Sequence, residues 1–143
     1  MLKRWFADWF KRAPVPQIEL PPMPPREALE LVMYSRTYGC PFITVAKRVL
    51  DDYHVPYREL FIDLDASAKA RVLAWTGFLS VPTLVMAYTG QDLPYAEVAP
   101  LPAGASPRGI DRGAMITEAN AAELLAWLKR HGFVQEADAE AGF

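Results

Sequence analysis

Proline placement divides this chain into segments before any other pattern is considered. Six of its 13 prolines lie within residues 14–25. A proline has no backbone N–H and a fixed φ, so this stretch can form neither a helix nor a central strand. We expect an extended, semi-rigid spacer over residues 14–27, between an N-terminal segment (residues 1–13) and a domain over residues 28–133.

The N-terminal segment has the pattern of an amphipathic helix, with apolar side chains at helical spacing and four basic residues beside them. The apolar positions are Leu2, Trp5, Phe6, Trp9 and Phe10. A free helix this short is marginal in water, so we expect it to be ordered only when docked. The alternatives for docking are the chain's own domain, dimerisation with a second copy, a specific partner, and peripheral contact with an anionic membrane.

The composition is that of a globular protein. Hydrophobic residues make up 52% and charged residues 22% of the 143 residues, and no apolar run approaches the roughly 20 residues of a membrane span. A net charge of −2 argues against a nucleic-acid partner, which needs a basic face. With one cysteine, we expect no internal disulfide, and with two histidines far apart we expect no metal site. Because no secretory leader is recognisable and no disulfide is expected, we expect a cytoplasmic location.

Within the domain, the periodicity predicts a strand, a helix, a strand, a helix, a strand, a long irregular loop and a last helix. The expected ranges are, in that order, 29–34, 41–53, 57–64, 65–77, 81–86, 91–115 and 120–131. The first strand–helix–strand unit is long enough for a right-handed parallel crossover. We therefore expect an α/β domain with a small mixed β-sheet flanked by helices. Residues 134–143 carry three acidic and no basic residues, and we expect a flexible acidic tail.

Cys40 is the strongest candidate for chemistry. It follows a predicted strand and a glycine turn, and Pro41 is well suited to the first position of the helix behind it. The sulfur would then lie at a helix N-terminus, where unpaired N–H groups and the helix dipole favour the thiolate over the thiol. Arg36 adds a positive charge on the same turn. A thiolate is the nucleophile that attacks a disulfide; the alternative is a buried cysteine that packs as a small hydrophobe.

Two short motifs resemble those of the glutaredoxin family. Residues 34–42, Tyr-Ser-Arg-Thr-Tyr-Gly-Cys-Pro-Phe, are similar to the active-site stretch of that family. Trp-Thr-Gly at 75–77, followed by Ser-Val-Pro-Thr at 80–83, resembles its second landmark, in which the proline is cis and faces the active-site cysteine. The resemblance covers about residues 29–88 and the last helix. It implies a thioredoxin-like fold of the glutaredoxin type, thiol–disulfide exchange, and glutathione as co-substrate.

The resemblance also implies roles for individual residues. Cys40 would be the catalytic nucleophile, and the backbone of Val81 would pair with glutathione in the manner of an added strand. The candidate residues for binding glutathione or the substrate are Arg36, Tyr38, Pro41, Phe42, Val81 and Pro82. The alternatives are a core position for Phe42, a solvated turn position for Arg36, and an ordinary trans proline at the start of a strand for Pro82.

The sequence departs from the family pattern at several positions. Ile43 stands where dithiol members have a second cysteine, so the resemblance leaves a monothiol route in which a second glutathione releases the first. Monothiol members that hold a [2Fe–2S] cluster between two subunits read Cys-Gly-Phe-Ser, whereas this chain reads Cys-Pro-Phe-Ile. Phe78 and Leu79 replace a polar or basic residue that often binds a glutathione carboxylate. The twin-glycine turn that family members have before the last helix is missing. Residues 113–118 are the candidates to form that wall of the binding site instead.

Three functions therefore remain open at this point. The first is a glutathione-dependent thiol–disulfide oxidoreductase that acts on glutathionylated or disulfide-containing proteins. For this enzyme, a substrate larger or more apolar than glutathione is a further alternative. The second is a module that binds glutathione or carries an iron–sulfur cluster without turnover. The third is a structural adaptor that presents the loop over residues 91–115.

Overall fold

The computed structural model describes residues 23–135. The helix expected over residues 1–13, most of the spacer and most of the acidic tail lie outside these residues and stay predictions. Within residues 23–135, the chain forms a five-stranded mixed sheet with helices on both faces.

The helices and strands follow the predicted order, with two additional short strands before the last helix. They are β1 (Leu29–Ser35), α1 (Pro41–Asp52), β2 (Arg58–Phe61), α2 (Ala66–Thr76), β3 (Thr83–Tyr88), β4 (Ile110–Asp111), β5 (Met115–Thr117) and α3 (Ala121–Arg130). A 3-10 turn over Arg26–Ala28 precedes β1. None of the described helices has the length and apolar character that crossing a bilayer would require.

The sheet has the strand order β2-β1-β3-β5-β4. β1 pairs with β2 in parallel, and the other neighbouring strands are antiparallel. A parallel pair needs a crossover connection, and α1 supplies it between β1 and β2. This arrangement confirms the predicted thioredoxin-like fold, a small mixed sheet flanked by helices.

The core lies on both faces of β1, the strand next to the centre of the sheet. Its side chains alternate, so that Leu31 and Met33 face one layer, while Val32 and Tyr34 face the other. α1 and α3 cover the first layer, and α2 covers the second. Because β1 is buried on both faces, its sequence is a nearly continuous apolar run, which is why the strand is recognisable from sequence.

Local capping sets the helix ends. The Asp65 carboxylate accepts from the backbone N–H of Ser67 at 2.9 Å at the start of α2, and Gly77 ends that helix in a left-handed conformation (φ 79°). At the start of α3, the Asn120 side chain accepts from the Glu123 N–H at 2.8 Å, and the Glu123 carboxylate accepts from the Asn120 N–H at 2.9 Å. This reciprocal pair is a capping box, for which the spacing of Asn and Glu in the sequence is typical.

The loop predicted over residues 91–115 is wrong at its C-terminal end. β4 lies within that range and β5 begins at its last residue, because Ile110 pairs with Thr117 in an antiparallel hairpin. The rest of the loop is held to the domain by Arg112, whose guanidinium donates to the carbonyl oxygens of Trp75 at 2.9 Å and Ala99 at 2.7 Å. The segment is therefore attached to the body at defined points.

His131 is a buried titratable group just after α3. Its Nδ1 donates to the carbonyl oxygen of Trp127 at 2.9 Å, and its Nε2 lies 3.4 Å from the Tyr95 hydroxyl, which is placed to donate to it. Burial lowers the pKa of His131 below its ordinary value, and the nearby Arg130 acts in the same direction. The hydrogen bond to Trp127 and the carboxylate of Asp111 act in the opposite direction but do not reverse the shift.

We expect this histidine to make the free energy of unfolding depend on pH. Because its pKa is lower in the folded state, the unfolded chain binds the proton more readily. The stability contribution is therefore fully present above the ordinary histidine pKa of about 6.5 and is lost as the pH falls through the folded-state pKa. Urea unfolding between about pH 8 and about pH 5 should show this decline, and His131→Gln should reduce it. An unchanged pH slope in His131→Gln would contradict the assignment.

Candidate active site

Cys40 occupies the position that the sequence predicts, at the N-terminus of a helix. It is the N-cap residue of α1, with an extended backbone (φ −150°, ψ 133°), and Pro41 begins the helix. The carbonyl oxygen of Cys40 accepts from the Thr44 N–H at 3.1 Å and from the Thr44 hydroxyl at 3.3 Å. These contacts fix the cysteine backbone to the first turn of α1, and the side chain remains partly exposed.

The Val81–Pro82 segment lies against the thiol, although it is far away in sequence. The Cys40 thiol donates to the carbonyl oxygen of Val81, with an Sγ–O distance of 3.8 Å. The Val81–Pro82 peptide bond is cis, as the family resemblance implies. The carbonyl oxygen of Pro82 accepts from the Glu118 N–H at 3.0 Å, and β3 begins at the next residue. Within residues 23–135, the Val81 N–H has no backbone partner.

A carboxylate anchors the turn that precedes Cys40. The Asp63 side chain accepts from the Thr37 N–H at 3.2 Å and from the Thr37 hydroxyl. The Thr37 hydroxyl is the main reason that the pKa of Asp63 is lowered below its ordinary value. Because Asp63 follows β2, this interaction ties the turn before the thiol to the connection between β2 and α2.

Arg36 interacts with its own turn. Its guanidinium donates to the carbonyl oxygen of Gly39 at 3.1 Å and lies 4.3 Å from the centre of the Tyr38 ring, which is a cation–π distance. A pocket of about 200 Å³ adjoins this turn. It is lined by Arg36, Tyr38, Ile62, Asp63, Lys69 and Leu79. The charged side chains of this pocket are two cations, Arg36 and Lys69, and one carboxylate, Asp63, so its net charge is positive.

Phe42 lies neither in the core nor open to solvent. It is half-buried, and the Arg108 guanidinium lies 5.0 Å from the centre of its ring. The core position next to it is taken by Ile43, which packs in the layer that α2 covers. Phe42 is therefore partly exposed next to Cys40, and its role in binding a substrate stays a prediction.

Sequence reasoning missed two residues near the site. Lys69 lines the pocket beside the turn, together with Leu79, and Arg108 lies over Phe42. Lys69 lies on α2, which reaches this turn only through the tertiary fold, and Arg108 lies in a segment without periodicity, so no local signal marked them. Glu118 lies at the end of the segment 113–118 named from the sequence, and burial raises the pKa of its carboxyl group, against the effect of Arg108.

Side chains that could ligate a metal ion are dispersed in the described part of the chain. Within residues 23–135, no three or more histidine, cysteine, aspartate or glutamate side chains are grouped so that they could hold a metal ion.

Two of the comparisons with known proteins found a match. The glutaredoxin family model matches residues 31–88, a segment that runs from β1 to the end of β3 and includes Cys40 and Pro82. The crystal structure of a buckwheat glutaredoxin–glutathione complex is similar over 76% of this chain and 84% of that chain, with 17% sequence identity and a TM-score of 0.42. No curated protein matches the chain.

Proposed function

We propose that this chain is a glutaredoxin-like thiol–disulfide oxidoreductase that uses Cys40 as its single nucleophile and glutathione as co-substrate. The proposal is carried by one observation: within the segment that matches the glutaredoxin family model, the sulfur lies at the start of α1, 3.8 Å from the carbonyl oxygen of Val81. A helix N-terminus stabilises a thiolate through its free N–H groups and its dipole. We place the reaction in the cytoplasm, where thiols are kept reduced.

The reaction proceeds in two exchanges. In the first, the Cys40 thiolate attacks the glutathione sulfur of a mixed disulfide between glutathione and a substrate. A disulfide between Cys40 and glutathione forms, the original S–S bond breaks, and the substrate leaves as a thiolate that takes up a proton. In the second, the thiolate of another glutathione attacks the bound glutathione sulfur, which releases oxidised glutathione and restores the Cys40 thiolate. The net reaction consumes one reduced glutathione: the substrate is released as a thiol, and the glutathionyl group that it carried leaves in oxidised glutathione.

The single-cysteine route follows from the residues around the thiol. The chain contains one cysteine, and Ile43, where a second thiol would stand, is buried in the core. Every disulfide that Cys40 forms is therefore intermolecular, so an external thiol must complete the cycle. The described residues also offer no group of metal ligands, and a single thiolate does not fit a cluster held by this chain's own side chains.

Backbone and side chains on either side of the thiol are suited to hold glutathione. The free Val81 N–H and its carbonyl oxygen would pair with the cysteinyl backbone of glutathione, as in strand addition. The pocket that contains Arg36 and Lys69 would take a glutathione carboxylate, because its two cations outnumber its one carboxylate, Asp63. Tyr38 and Phe42 would flank the bound tripeptide, and Pro41 would fix the start of α1 beside it.

Mass spectrometry of the intact protein tests the proposal. After incubation with oxidised glutathione, the protein should carry one glutathionyl group, located at Cys40 by peptide mapping, and reduced glutathione should remove it. Removal by reduced glutathione distinguishes a turnover intermediate from a dead-end adduct. A protein that stays unmodified would refute the proposal. A brown dimeric protein whose colour disappears in Cys40→Ser would favour an iron–sulfur carrier instead.

A further inference from the structure

Arg108 is brought to the candidate active site by the hairpin of β4 and β5. The N–H of the next residue, Gly109, donates to the carbonyl oxygen of Thr117 at 2.8 Å, so the backbone beside Arg108 is tied to the end of β5. The Arg108 guanidinium lies 5.0 Å from the centre of the Phe42 ring, in the first turn of α1. Because Phe42 comes two residues after Cys40, this cation lies against the turn that carries the thiol.

A second set of contacts places the same hairpin at the groove beside the thiol. The Glu118 N–H donates to the carbonyl oxygen of Pro82 at 3.0 Å, and Pro82 follows Val81, whose carbonyl oxygen contacts the Cys40 sulfur. Burial raises the pKa of the Glu118 carboxyl group and the charge of Arg108 lowers it, so these two side chains lie near each other. Arg108 therefore approaches the groove from the Pro82 side.

The Arg108 guanidinium is held in place without using its N–H groups. Within residues 23–135, it forms no ion pair with a carboxylate, and the hydrogen bond at this residue is made by the backbone N–H, which donates to the Ser106 hydroxyl at 3.3 Å. The contact with Phe42 is to the face of a ring. The fork of guanidinium donors is therefore available to an anion.

Cations lie on both sides of the groove at Val81. The pocket with Arg36 and Lys69 adjoins the chain that follows β2, at one edge of the sheet. Arg108 precedes β4, at the opposite edge. β3, which begins just after the Val81–Pro82 bond, is the central strand. A tripeptide paired with Val81 would therefore have a cation site beyond each of its ends, and glutathione carries a carboxylate at each end.

The two cation sites differ in the charges that they offer. The pocket with Arg36 and Lys69 has a net positive charge, which suits a carboxylate alone, as at the glycyl end of glutathione. Beside Arg108, the Glu118 carboxyl adds an acidic group, so this side offers both signs of charge. The γ-glutamyl end of glutathione carries a carboxylate and an ammonium, so it is the end that matches this side.

We propose that Arg108 binds the carboxylate at the γ-glutamyl end of glutathione and thereby selects mixed disulfides that carry a γ-glutamyl residue. The inference rests on the function proposed above and concerns the glutathionyl group that Cys40 attacks. Arg108 is then a specificity-determining residue that takes no part in the exchange of sulfur atoms. Its planar guanidinium can bind a carboxylate through two parallel hydrogen bonds, a geometry that a lysine ammonium does not provide.

Transfer to Cys40 in a single turnover tests this inference on the first exchange alone. The probes are mixed disulfides of 2-mercaptoethanol with glutathione, with γ-glutamylcysteine and with cysteinylglycine, and the mass of the acid-quenched protein gives each rate. Arg108→Ala should slow transfer from the two γ-glutamyl compounds about tenfold, the order expected for losing a charge-assisted hydrogen bond. Transfer from cysteinylglycine should keep its rate, and Arg108→Lys should lie between.

Arg48→Ala is the matched control, because Arg48 is an exposed arginine on the same helix as Phe42 and lines a groove between α1 and α3. It should transfer all three groups at the rates of the unsubstituted protein. Equal slowing of all three probes in Arg108→Ala, or no slowing of any, would overturn this inference alone. If the unsubstituted protein accepts no group from any of the probes, the proposed function and this inference are both wrong.

Discussion

Cys40→Ser is expected to abolish the reduction of glutathione mixed disulfides, with a loss of at least about 10³-fold in kcat/KM. A serine hydroxyl is a much weaker acid and nucleophile than a thiol, and its oxygen does not exchange with a disulfide. Because the chain has no second cysteine, no other side chain can take over the first exchange. The release of oxidised glutathione, followed in a coupled assay with a reductase, measures the loss.

The fold of the variant provides the control for this experiment. Cys40 is partly exposed and its carbonyl oxygen, which Thr44 binds, is unchanged by the substitution. Cys40→Ser should therefore unfold in urea close to the midpoint of the unsubstituted protein. If the variant folds and keeps more than about a hundredth of the activity, the nucleophile lies elsewhere and the proposed mechanism is wrong.

Trp127→Ala is expected to cause the largest loss of stability, about 3–5 kcal/mol in the free energy of unfolding. Trp127 is fully buried on α3 in the layer that α1 and α3 share. Its indole N–H donates to the carbonyl oxygen of Gly113 at 2.8 Å, which joins the helix to the hairpin of β4 and β5. The alanine variant leaves a cavity and an unpaired carbonyl oxygen. Since small domains are stable by about 5–15 kcal/mol, this loss is a large part of the total.

Trp127→Phe separates the two contributions. It retains an aromatic ring in the core but has no N–H for Gly113, so it should lose less, about 1–3 kcal/mol. Urea unfolding followed by circular dichroism gives both values. A loss below about 1 kcal/mol in Trp127→Ala would mean that the layer collapses onto the vacated space, contrary to the packing described here.

The position of Cys40 was predictable because the signals that determine it are local. β1 is apolar on both faces, and a proline suits the first helical position, so the end of the strand and the start of α1 both appear in the sequence. The capping box at Asn120 and Glu123 is equally local, and it fixed the start of α3. The approach of Pro82 to the thiol was not local, and the family resemblance alone supplied it.

The features that escaped prediction depend on tertiary contacts or on very few residues. β4 has two residues and β5 has three, too few for a period to be recognised, so this hairpin was taken for loop. Arg108 reaches Phe42 only because the hairpin returns to the site. The buried side chains of α1 also divide between the two core layers. Ile43, in the first turn, packs in the layer that α2 covers, whereas Ala46 and Leu50 pack in the layer of α3. A single helical stripe would place Phe42 in the core, whereas Phe42 is half-buried.

The burial of Ile43 has a consequence for engineering this scaffold. Its side chain is 6% exposed and packs among the residues that α2 covers. A cysteine at this position would be smaller than isoleucine and would leave a void in a close-packed interior, at a cost of stability. An attempt to place a second thiol at this position would therefore have to redesign the neighbouring packing as well as the reactive pair, and under the proposed mechanism the interior of the domain keeps the dependence on an external thiol in place.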